Sequence, residues 1–135
     1  MPLRCLVVDD SRPFLAAARA LLERQGLAVA GVAANGAEAL QLAMSLRPDV
    51  VLVDIGLGDE SGLDLVARLR AESAWSPPPV ILILTRAQED YADLIAGTGA
   101  IGFLPKLELS AAAVRDLIDG WAGDRSGRLS GPPEK

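Results

Sequence analysis

No histidine occurs anywhere in the sequence. That excludes histidine-ligated metal sites and any histidine general base supplied by this chain. One cysteine, Cys5, cannot close a disulfide within the chain. It lies in an apolar run and reads as a small core residue, with a reactive thiol as the alternative. No apolar run approaches the roughly 18 residues that a membrane span needs. The opening segment Met1-Pro2-Leu3-Arg4-Cys5 leads into a short apolar run closed by Asp9 and Asp10. That run is too short and wrongly flanked for a signal peptide. These absences lead us to expect a cytoplasmic protein with no membrane contact. An excess of positive charge is missing too: the net charge is −5, which argues against nucleic-acid binding by this domain alone.

What is present is ordinary globular composition, 50% hydrophobic and 23% charged over 135 residues. That length holds one domain with a real core. Apolar runs of strand length occur at Cys5 to Val8, Ala28 to Ala33, Val50 to Val53, Val80 to Leu84 and Ala100 to Leu104. Continuous rather than alternating hydrophobicity predicts strands covered on both faces, as in a parallel sheet. Between the runs lie helical patterns. Phe14, Ala17, Ala18, Leu21 and Leu22 form one stripe, Ala39, Leu40 and Ala43 another, and Gly62, Leu65, Val66 and Leu69 a third. Val114, Leu117, Ile118 and Trp121 make a further stripe, and Gln88 to Gly97 carries the weakest one. Asn35 followed by Glu38 reads as an N-cap with a capping-box acid, which starts the second helix near Gly36.

Strand and helix alternate five times. Right-handed crossovers then place helices on both faces of a five-stranded parallel sheet. This is an α/β, flavodoxin-like (βα)5 arrangement, for which 2-1-3-4-5 is one standard strand order. We expect the domain to occupy residues 1–122. Residues 123–135, rich in Gly, Ser and Pro, read as a flexible C-terminal tail or the start of a linker.

All C-terminal strand ends of a parallel sheet share one edge, where ligands bind. Strand one ends in Asp9 and Asp10, strand three in Asp54 and strand four in Thr85, and Lys106 follows strand five. With the order 2-1-3-4-5 these groups converge. Carboxylates about 5 Å apart would repel by roughly 3 kcal/mol per pair at an effective dielectric of about 20. Such a cluster calls for a cation, and hard oxygen donors favour Mg²⁺. An acidic cluster, a divalent ion, a lysine and a hydroxyl around one central carboxylate suit phosphoryl transfer, with that carboxylate as nucleophile. Taken singly, each residue has a plainer role: Asp10 as a helix N-cap, Asp54 as a loop residue, Thr85 as a cap or turn residue, Lys106 as a solvated charge and Phe103 as a core aromatic. It is their fall on one edge that points to chemistry.

At this point the residues resemble the CheY-like receiver domains of bacterial two-component signalling. The matching segments are Leu6-Val7-Val8-Asp9-Asp10, Asn35-Gly36-Ala37-Glu38-Ala39-Leu40 and Pro48-Asp49-Val50-Val51-Leu52-Val53-Asp54. Ser61-Gly62-Leu63-Asp64-Leu65, Ile83-Leu84-Thr85 and Gly99-Ala100-Ile101-Gly102-Phe103-Leu104-Pro105-Lys106 complete the set. The resemblance covers roughly residues 3 to 122. It implies that Asp54 takes a phosphoryl group from a histidine of a partner, a sensor histidine kinase or phosphotransfer protein. It also implies that Asp9, Asp10, Asp54 and the backbone carbonyl of Gly56 hold Mg²⁺ (or Mn²⁺), and that Lys106 pairs with phosphoryl oxygens. Thr85 would swing inward and Phe103 would change rotamer with it, remodelling the face of helix four, strand five and helix five and its partners, a homodimer among them.

The chain departs from the common pattern at three positions. Leu107 follows Lys106 where many receivers have proline, and this text resembles the NarL/FixJ group. Gly58 stands where proline is usual. Arg86 follows Thr85 where a small residue is common, and either covers the phosphoryl site partly or points to solvent at the head of helix four. Three other readings stay open. A HAD-like phosphohydrolase would need a second acid two residues after the first-strand nucleophile, where Ser11 and Arg12 stand. A flavin module would need a Ser/Thr/Gly-rich loop in place of Asp9 to Pro13. A pseudo-receiver, folded alike but never phosphorylated, would act as an interaction module. Whether the chain is a stand-alone receiver or part of a longer regulator is likewise open.

Overall fold

In the computed structural model, residues 3–57, 60–72, 78–84 and 99–130 are described. Five strands form one parallel sheet: β1 (Arg4–Val8), β2 (Ala28–Ala33), β3 (Val50–Asp54), β4 (Val80–Leu84) and β5 (Gly102–Pro105), in the order 2-1-3-4-5. The expected topology is therefore present. The last strand begins two residues later than its apolar run suggested, because its pairing with β4 starts at Ile81 and Gly102.

Side chains alternate between the two faces of the sheet, as strand geometry requires. Leu6, Val8, Val51, Val53, Leu82 and Leu84 pack on one side with Leu40, Ala43, Leu65, Val66 and Leu69 of α2 (Gly36–Leu46) and α3 (Gly62–Glu72). Cys5, Val7, Val50, Leu52, Ile81 and Ile83 pack on the other with α1 (Arg12–Arg24) and the C-terminal helix (Ala111–Ser130). All five residues of β3 and of β4 are buried, which explains their continuous apolar text. Cys5 is fully buried, and burial, with Glu23 a lesser influence, pushes its thiol up to about 12. It is a core residue, not a reactive one.

Helix ends follow their local chemistry. Asn35 Oδ1 accepts from the Glu38 N–H at 2.9 Å, and Glu38 Oε1 accepts from the Ala34 N–H at 2.8 Å. The second helix therefore starts at Gly36, as its capping pair predicts. On α1, Ser11 rather than Asp10 is the N-cap: its Oγ accepts from the Phe14 N–H at 3.3 Å. The core side of α1 is Leu15, Ala18 and Leu22, whereas Ala17 is exposed. The C-terminal helix runs on to Ser130, past Gly123 where the composition had placed the start of a tail. Nothing between Gly123 and Ser130 forbids helical backbone, and the first proline after it is Pro132. The predicted helix over residues 88–97 lies outside the described residues.

Candidate functional site

Strand register brings the acids together. Val8 is level with Val53, so the residues that follow them, Asp9 and Asp54, end adjacent strands side by side. Leu84 is level with Pro105, so Lys106 leaves the sheet at the same rim. Oxygens of Asp9, Asp10 and Asp54 lie within 4.8 Å of one another. Asp9 is fully buried and Asp54 is 4% exposed, while Asp10 is exposed. Lys106 Nζ stands 2.8 Å from Asp9 Oδ2 and 3.8 Å from Asp54 Oδ2. The four charged residues expected to converge do so.

Each buried carboxylate divides its two oxygens between two tasks. Asp9 Oδ1 accepts from the Ser11 N–H at 2.8 Å, and Asp54 Oδ1 accepts from the Gly56 N–H at 3.3 Å. These bonds fix the loops that leave β1 and β3. The Oδ2 atoms face Lys106 instead. Although 2.8 Å from Nζ, Asp9 Oδ2 has no hydrogen-bond donor aligned with it among the described residues. The contact supplies charge but not a directed bond, and a buried oxygen in that state is costly. Asp54 shows the same tension. Burial, then the charge of Asp9, pushes its carboxyl up to about 6, against the opposing pull of Lys106 and the Gly56 N–H, with Asp10 adding to the rise. An orphaned buried oxygen beside two further carboxylates suits a hard divalent cation.

Three features of this rim were not anticipated from sequence. Lys106 Nζ lies 4.5 Å from the centroid of the Phe14 ring, a cation–π contact from the first turn of α1. In the sequence Phe14 reads only as part of a helix stripe, and no periodicity reports a contact between distant elements. Gly62 is a close-approach glycine. A Cβ there would stand 2.2 Å from the Asp54 carbonyl oxygen, and its N–H donates to Ile55 O at 2.8 Å. A short antiparallel ladder, Gly56–Leu57 with Glu60–Ser61, shapes the chain just after Asp54. Phe103, on β5, is half-buried and packs against the core. The Lys106–Leu107 bond is trans, and Leu107 is fully exposed. Thr85, Arg86 and Gly58 lie outside the described residues.

A doubly wound parallel sheet whose switch point gathers three carboxylates and a lysine defines a class: α/β proteins with an acidic, cation-attracting pocket at the strand ends. Comparison places the chain within that class. Residues 5–118 match the response regulator receiver domain, and the chain belongs to that family, whose function is to accept a phosphoryl group in two-component signalling. It is 38% identical over 123 residues to the response regulator MprA of Mycolicibacterium vanbaalenii, covering 87% of this chain and 51% of that protein. Among solved structures it resembles the signal receiver domain of the response regulator NarL from Mycobacterium tuberculosis, with 29% identity and a TM-score of 0.76 over 88% of this chain and 98% of that one. It also resembles a Burkholderia pseudomallei response regulator solved with a phosphorylated aspartic acid and a calcium ion, with 26% identity and a TM-score of 0.74 over 98% of this chain and 75% of that one. The chain spans about half the length, or less, of the curated relatives it matches. No helix among the described residues is long and apolar enough to cross a membrane.

Proposed function

We propose that Asp54 is the phospho-acceptor of this receiver, taking its phosphoryl group from a phosphohistidine on a sensor histidine kinase or phosphotransfer protein. The observation that carries this reading is the meeting of three carboxylates within 4.8 Å with a lysine 2.8 and 3.8 Å from two of them. Asp9, Asp10, Asp54 and the carbonyl of Gly56 are the candidates to hold Mg²⁺, or Mn²⁺. When bound, the ion supplies charge neutralisation for the phosphoryl oxygens.

The chain's own residues do the rest. An ionised Asp54 oxygen forms the new O–P bond as the donor's P–N bond breaks. The bonding electron pair stays on the imidazole nitrogen, so the chain needs no histidine of its own. Lys106, fixed at the rim by β5, faces the oxygen of Asp54 that the Gly56 N–H leaves free, and can pair with phosphoryl oxygens there. Thr85 and Phe103 are the proposed switch pair, and Arg86 a candidate to alter access to the site. The face of helix four, strand five and helix five is the proposed output surface, for a partner protein or a second copy. The domain promotes its own phosphorylation and dephosphorylation rather than turning over a substrate, acts in the cytoplasm and does not itself bind nucleic acid. The proposed receiver domain occupies residues 1–122.

Incubation with Mg²⁺ and a small acyl-phosphate donor, followed by intact mass, tests this. The expected result is a gain of one phosphoryl group that is absent in Asp54→Asn. No gain in the parent chain would leave a non-phosphorylated interaction module. An equal gain in the variant would move the acceptor elsewhere.

A further inference from the structure

We infer that Phe14 is a positioning residue for phosphoryl uptake, acting through Lys106; this rests on the reading above. The contacts form a closed circuit. Asp9 Oδ1 accepts from the Ser11 N–H at 2.8 Å, Ser11 Oγ accepts from the Phe14 N–H at 3.3 Å, and the Phe14 ring carries Lys106 Nζ 4.5 Å from its centroid. Lys106 Nζ then returns to Asp9, at Oδ2, 2.8 Å away. One turn of chain thus places both the carboxylate and the aromatic platform that hold the same ammonium.

The platform answers a specific problem. Lys106 rises from a short 3₁₀ turn, Lys106–Glu108, and its side chain is 20% exposed. A long flexible side chain at such a rim gains rotamer entropy by leaving for solvent. The ion pair to Asp9 alone is poorly directed, since Asp9 Oδ2 has no aligned donor among the described residues. A half-buried ring face attracts the ammonium electrostatically without offering an atom that competes for phosphoryl oxygens. It keeps Nζ inside the site yet 3.8 Å from Asp54 Oδ2. The lysine is therefore retained near the acceptor without being locked onto it.

Phe14→Leu keeps apolar bulk and removes the ring, whereas Phe14→Tyr keeps the ring. Two measurements read the result. The first is acylation of the metal-free chain by a limiting amine reagent, followed by peptide mass. The sequence has only two lysines, Lys106 and Lys135, so Lys135 is the internal standard. Lys106 acylation is expected to rise severalfold in Phe14→Leu and to stay at the parent level in Phe14→Tyr. The second is the rate of phosphoryl uptake from a small acyl-phosphate donor at saturating Mg²⁺. Phe14→Leu is expected to slow it by about fivefold, Phe14→Tyr to restore it, and Phe14→Leu to add no slowing in a Lys106→Gln background. A merely structural role would slow uptake in both backgrounds, and that result overturns the inference, as does unchanged Lys106 acylation. Absence of uptake by the parent chain overturns the reading of Asp54 instead, and the acylation measurement separates the two failures.

Discussion

Polar residues stand at the same rim of the sheet after β2 and after β1 and β3, yet they bond differently. After β2, the Asn35 and Glu38 side chains each accept a backbone N–H, at 2.9 and 2.8 Å. Their polar groups are used within a single helix start. After β1 and β3, Asp9 and Asp54 each give one oxygen to a loop N–H and turn the other toward Lys106. Both regions read alike in sequence, as short polar text closing an apolar run. The difference lies in what is left over. A cap consumes its own polarity, whereas the acidic rim holds more negative charge than the protein around it can satisfy. That surplus is what makes it a site.

The comparison can be broken most sharply at Gly62. It forms the first residue of α3, and an added Cβ would stand 2.2 Å from Asp54 O and 2.8 Å from Ile55 Cα, both rigid backbone. Gly62→Ala is expected to destabilise the chain by about 3 kcal/mol through overpacking, read as a lower urea midpoint. Because the displaced backbone is that of Asp54, the stabilisation that Mg²⁺ gives should shrink as well. An unchanged midpoint would mean that α3 does not press on the acceptor strand.

A smaller effect of opposite sign is expected from Asp54→Asn in metal-free solution. The folded chain holds this carboxyl near 6 against an ordinary value of 3.8. Between those values the folded state binds the proton that the unfolded state has released. Stability contributed by the group therefore falls as pH rises through this window, and the full cost is present above about 6. Asparagine carries no charge to bury. After allowance for the loss of a partner to Lys106, it should stabilise the chain by about 2 kcal/mol near neutral pH. The gain should vanish as pH falls towards 3.8. A urea titration at several pH values checks both sign and window. A destabilised variant at neutral pH would show that the acidic rim is already satisfied and is no different in kind from the Asn35 cap.

Much of this was legible beforehand because parallel sheets leave two strong traces. Strands covered on both faces read as continuous apolar runs, and the residues ending them are brought to one edge by topology alone. Asp9, Asp10, Asp54 and Lys106 group together on topology alone. The missing parts depend on contacts that neither trace records. The ring of Phe14 reaches Lys106 from another element. Gly62 matters because a backbone elsewhere comes close, while its own text reads as one member of a helix stripe. Ser11 takes the cap that Asp10 was equally suited to fill, because the Asp9 side chain turns the chain there and presents Ser11 to the Phe14 N–H. The C-terminal helix continues to Ser130 through text that reads as tail-like from Gly123, because glycine and serine weaken a helix without terminating it.

The smallest effect belongs to the control side of the comparison. Asn35→Ala removes the oxygen that accepts from the Glu38 N–H and is expected to cost about 1 kcal/mol, the usual worth of an N-cap. Asn35 stands at the sheet rim beside β2, and its Oδ1 is spent on the Glu38 N–H rather than on the acids of Asp9, Asp10 and Asp54. Its loss should lower the urea midpoint equally with and without Mg²⁺ and leave phosphoryl uptake at the parent rate. At an ion concentration ten times its dissociation constant, the parent chain should gain about 1.4 kcal/mol, and Asn35→Ala should gain the same. If the variant responds less to the ion than the parent does, the cap after β2 and the acids after β1 and β3 form one coupled rim. The division between satisfied and surplus polarity would then be wrong at the point where it is easiest to measure.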